Sequence, residues 1–156
     1  MRSGTLGIGA ALGVGAIALA MAPLAAAAAP AVTPTTATIS FDCGAYGSGS
    51  ATLTATQDGT SATISLSTSA ITAPIPISAG SVSSVLTMTN ADSSTVTFSG
   101  DSNPDIPAGS AVSTGPLAGT VQSGDSLQAS SLQVTVFGVT ATCTATSAQS
   151  PGPFVF

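Results

Sequence analysis

Apolar side chains recur at every second position in a series of short runs, and that period is the signature of half-buried strands. Ile39, Phe41 and Cys43 alternate with Ser40 and Asp42. Ala51, Leu53 and Ala55 alternate with threonines, and Ala62, Ile64 and Leu66 with Thr63, Ser65 and Ser67. Asp58-Gly59 stands between these two runs, a dipeptide suited to a tight hairpin, so 51–67 is predicted to be one. Leu86 and Met88, then Val96 and Phe98, flank Asn90-Ala91-Asp92-Ser93-Ser94 and predict a second hairpin. Leu132, Val134 and Val136 alternate again; at Phe137-Gly138 the phase flips, and Val139, Ala141 and Cys143 continue on odd positions. A one-residue slip of that kind marks a bulge or a tight turn.

Two stretches break the pattern. Ala70 to Gly80 holds Pro74 and Pro76, which cannot donate ladder hydrogen bonds, and is expected to be an edge segment or a crossing loop. Gly100 to Gly119 reads as the longest irregular stretch. Gly100 to Leu117 within it is either the best candidate contact surface, since long loops carry function more often than strands, or a plain crossing between sheets. No run after Pro30 has helical periodicity. Several short strands at regular spacing predict an all-β, antiparallel β-sandwich over residues 37–147, after a linker at 29–36 and before a tail at 148–156.

The first residues carry a different signal. Met1-Arg2-Ser3-Gly4 is a short positive segment, Leu6 to Ala20 is apolar, and Ala25 to Ala29 supplies small residues for cleavage. Residues 1–28 therefore read as a secretory signal peptide, and the expected product is secreted and free of membrane insertion once the signal is removed. Two cysteines in an exported chain point to one disulfide, between Cys43 in the first strand and Cys143 in the last. Closing a loop of about 100 residues is worth up to about 4.7 kcal/mol in the chain-entropy model. The alternative is a reactive or metal-binding thiol pair, but the chain has no histidine to serve as base or co-ligand.

Charge narrows the function classes. Only 4% of residues are charged, against about a quarter in ordinary domains. Arg2 is the sole basic residue, and Asp42, Asp58, Asp92, Asp101, Asp105 and Asp125 carry all the negative charge. Nucleophilic catalysis normally needs a neighbouring His or Lys, typical zinc sites need imidazoles or several thiolates, and nucleic-acid binding needs cationic side chains. The reading is of a protein that is not an enzyme, uses no cofactor and binds no nucleic acid. One weak metal candidate remains. Asp101, Asn103 and Asp105 space oxygen ligands like the start of a calcium loop, but Ile106 stands where that loop needs glycine and Val112 where it needs glutamate. Such residues are equally the ordinary residues of turns.

The alanine-rich signal, the strand Ile-Ser-Phe-Asp-Cys (Ile39 to Cys43), the Ser/Thr-rich body and the closing Val-Thr-Ala-Thr-Cys-Thr (Val139 to Thr144) together resemble a family of secreted actinobacterial proteins. The resemblance spans Thr38 to Ser147. It implies an immunoglobulin-like sandwich with Cys43 and Cys143 as partners, and it brings no activity with it. The expected role is that of a non-catalytic secreted or envelope-associated module, structural or binding an extracellular protein or envelope partner. Two alternatives are a carrier of a small apolar molecule, marked by a cleft lined with Phe, and an inhibitor of extracellular hydrolases that presents the loop from Asp101 to Pro116.

Overall fold

The computed structural model describes residues 31–156; the signal-peptide reading of residues 1–28 lies outside them. The described residues are all-β. The strands are β1 (Thr36–Asp42), β2 (Ser48–Asp58), β3 (Ser61–Thr72), β4 (Val82–Asn90), β5 (Thr95–Gly100), β6 (Ala111–Thr120), β7 (Ser126–Val136), β8 (Val139–Ala145) and β9 (Phe154–Val155). A single 3-10 turn at Gly44–Tyr46 links β1 to β2.

The strands do not form the expected immunoglobulin-like sandwich. They run in the order β4-β5-β6-β3-β2-β1-β8-β7, and β7 pairs back onto β4. The result is a closed eight-stranded antiparallel barrel. Two narrow seams make the difference. β5 meets β6 at one pair, Ser99 with Ala118, and β1 meets β8 at Phe41–Ala145 and Asp42–Thr144. Left open, those seams would separate two four-stranded sheets. Alternation reports which residues face inward but not whether the outermost strands join.

Closure needs tilted, bent strands, and bulges supply bending. In β6, Gly115 and Pro116 together oppose Ser65 of β3. In β7, Ser130 is the extra residue between Ala129 and Ser131, which pair with Met88 and Thr87. Each bulge shifts the inward phase, from Val112 and Thr114 to Leu117 and from Leu127 and Ala129 to Leu132. That shift hides the strand from alternation: residues 111–119, expected to be irregular, belong to β6. Gly115 has φ +117, and a Cβ there would lie 2.8 Å from the Ser65 Cα, so the bend requires glycine.

Leu53, Ile64, Leu86, Phe98, Leu117 and Leu127 are fully buried in the interior, as expected of an eight-stranded barrel, whose bore is about filled by side chains. The boundaries drawn from alternation fall inside this domain. In the segment expected to be a tail, β9 takes up the edge of β7 beyond the end of β8, pairing with Ser126 and Leu127. In the expected linker, Val32 is buried and Thr33 exchanges backbone hydrogen bonds with Val155. Phe154 and Phe156 are buried, and the Phe156 ring stacks on Phe98 with centroids 6.4 Å apart. The C-terminal residues thus plug one end of the barrel. They were missed because a two-residue strand is too short to show a period.

Candidate binding site at the open end of the barrel

The other end is not plugged. An apolar hollow of about 350 Å³ opens there, between the end of β3, the β3–β4 loop and the β7–β8 hairpin. Its floor is built from buried Ala73, Ile77, Val112, Val134 and Ala141. Its rim carries Tyr46, Ile75, Phe137 and Val139, four of the six large hydrophobic residues exposed among the described ones. Tyr46 and Thr72 bring the only side-chain hydroxyls of the lining, and no carboxylate lines it.

Each rim residue is held by local chemistry. The Gly44 N–H donates to the Asp42 carboxylate at 2.9 Å and the Cys43 N–H to the Gly47 carbonyl at 2.8 Å, fixing the turn that presents Tyr46. The crossing loop that carries Ile75 is laced to the β5–β6 loop. Ile77 and Ile106 exchange two backbone hydrogen bonds of 2.8 Å, and the Gly109 N–H donates to the Ala73 carbonyl at 2.7 Å. Phe137 and Gly138 form the two-residue turn between Val136 and Val139, confirming the tight-hairpin alternative. Both have positive φ, +52° and +77°. That turn favours Asn or Asp at its first position; Phe there costs about 1 kcal/mol, and its ring is 65% exposed. Neither feature helps folding.

The residues singled out in the sequence lie elsewhere. Cys43 and Cys143 form a disulfide, and both are buried. Neither is a free thiol, so the reactive-thiol alternative is set aside, and the bridge fits an oxidising compartment. Asn103 is buried. Its Oδ1 accepts from the Val82 N–H at 2.9 Å, and its amide donates to the Ser78 and Pro104 carbonyls at 3.1 and 2.7 Å. Asp105 accepts from the Ala79 N–H at 2.8 Å. The calcium-like spacing therefore serves to brace two loops. Among the described residues no three His, Cys, Asp or Glu side chains stand close enough to hold a metal ion. Pro116, expected in a presented loop, lies within β6.

A second hollow, of about 410 Å³, has a mixed wall, with Asn90, Ser126, Gln128 and Ser147 set among Ala129, Ala145 and Pro153. Its Asn90 amide is already bonded to Asp125 at 2.7 Å, and Asn90 Oδ1 accepts from the Ser126 N–H at 3.1 Å. The apolar rim escaped sequence reasoning because its four residues come from three separate connections and one strand end. The one available signal was an aromatic residue at a turn position that favours Asn, next to Gly138. No family model, curated protein or solved structure matches this chain.

Proposed function

We propose that the protein is a secreted, non-catalytic carrier that holds a small, uncharged apolar molecule in the open end of its barrel. The observation that carries this reading is the apolar hollow rimmed by Phe137 and Tyr46. Ligand sites favour barrel mouths and range from about 300 to 1,000 Å³; at about 350 Å³ this one suits a small guest. Burying apolar guest surface contributes about 25 cal/mol per Å², and an uncharged guest leaves no ion stranded in a lining that could not pair it. The signal-like N-terminus and the disulfide support export. The lack of His and Lys supports a role without proton transfer.

The test uses the neutral fluorophore phenylnaphthylamine. Tyr46 is the only tyrosine and the chain has no tryptophan, so quenching of its emission by the bound fluorophore reports from the rim. Saturable binding of one fluorophore per chain is expected. Ala141→Leu, which fills the floor, should weaken it about tenfold, or 1.4 kcal/mol. Absence of saturable binding would sink the proposal.

A further inference from the structure

We infer that the open rim is a docking surface for an uncharged or zwitterionic lipid bilayer, from which the guest is loaded. This rests on the carrier reading. An apolar guest is scarce in water and concentrated in membranes, so a carrier must meet a membrane to fill. The rim has the form for that encounter. Its apolar side chains come from separate turns that surround an opening, with Phe137 at the tip of the β7–β8 hairpin and Val139 beside it, both more than half exposed. Exposed apolar groups gathered at one place mark an interaction surface, and a Tyr that presents an apolar ring with a polar tip suits the headgroup boundary.

Charge selects the kind of membrane. The described residues contain no Lys, Arg or His, so nothing there attracts anionic headgroups. Asp42, Asp101 and Asp105 stand in strand ends or loops at this same end of the barrel but not in the lining, and they repel an anionic surface. Association therefore proceeds by apolar insertion.

The full chain is mixed with phosphatidylcholine vesicles containing nitroxide-labelled acyl chains, and Tyr46 emission is followed. The apolar Leu6 to Ala20 stretch is common to all variants, so the rim's contribution is read from the difference between parent and rim variants. Tyr46 should be quenched, 1 M salt should not relieve the quenching, and replacing half of the lipid by phosphatidylglycerol should reduce it. Phe137→Asn, which suits its turn, and Val139→Thr should each weaken vesicle binding severalfold. Unquenched Tyr46, or quenching unchanged in both variants, overturns the inference. So does shielding of Tyr46 that tracks protein concentration without lipid, which would make this face an interface between two copies of the chain. Fluorophore binding without vesicle quenching overturns the docking inference alone; vesicle quenching without fluorophore binding supports docking and overturns the carrier reading.

Discussion

Cys43 and Cys143 face each other in the register that β1 and β8 already share. Phe41 pairs with Ala145 and Asp42 with Thr144, so the bridge occupies the next rung of the same ladder. It lengthens one of the two narrow seams on the buried side of the barrel. The bridge spans 100 residues, and removing a native disulfide from a small secreted domain typically costs about 2–5 kcal/mol. Replacing both cysteines by serine should lower the urea-unfolding free energy by that amount. Amide exchange at Thr144 and Thr146 should accelerate before exchange in the β2–β3 hairpin. Uniform acceleration would show that the bridge does not act through this seam.

The second narrow seam relies on a close approach. A Cβ at Gly119 would come within 2.6 Å of the Phe98 ring, and Phe98 is fully buried. Gly119→Ala should therefore destabilise by about 1–3 kcal/mol, the usual cost of overpacking. Phe98→Leu in the same chain should return part of that loss, and a thermal-unfolding double-mutant cycle reads the coupling. Additive losses would place the strain elsewhere.

How much of this was legible follows from where alternation holds. The inward faces of β1, β2 and β3 were readable because Ala37 to Phe41, Ala51 to Ala55 and Ala62 to Leu66 keep one phase throughout. β6 was hidden by its own bulge, since Gly115-Pro116 looks like loop chemistry and moves Leu117 off the phase of Val112. Barrel closure depends on Ser99, Ala118, Phe41 and Ala145, whose pairing no local pattern encodes. The disulfide was legible from the cysteine count. The open rim was not, because Tyr46, Ile75 and Phe137 meet only once the barrel exists.

Asn103 bears directly on the calcium-like spacing. Its side chain satisfies the Val82 N–H at the start of β4 and two loop carbonyls. Asn103→Ala leaves that buried donor unpaired, at a cost of about 1–3 kcal/mol. Millimolar calcium should leave the melting temperature of the parent protein unchanged, because the Asn103 oxygen is already committed. A calcium-dependent rise in melting temperature would contradict this account.

Asp92 sits in the β4–β5 turn, where its own neighbours lower its pKa. The Ser94 hydroxyl at 2.5 Å, aided by the Ser94 N–H at 2.9 Å, holds it below the ordinary carboxylate value. A lowered folded-state pKa contributes stability above the unfolded pKa that is lost as pH falls through the folded one. The parent should therefore exceed Asp92→Asn in melting temperature at neutral pH, and the gap should narrow in the acid range. The turn is fully exposed, so the gap is small. A gap that widens in acid would reverse the sign.

Phe137 sets stability against function at one residue. At φ +52° the turn tolerates Asn far better than Phe, and relief of the backbone strain is worth about 1 kcal/mol. Exposing an asparagine instead of an aromatic ring costs the fold little, because the ring is mostly in water already. Phe137→Asn should therefore raise the urea midpoint while weakening phenylnaphthylamine binding severalfold. A gain in stability together with a loss of binding is what a side chain placed for contact produces. If Phe137→Asn instead lowers the midpoint, the ring packs for the fold and the rim loses its leading residue. If the midpoint rises and binding is unchanged, the hollow does not use its rim.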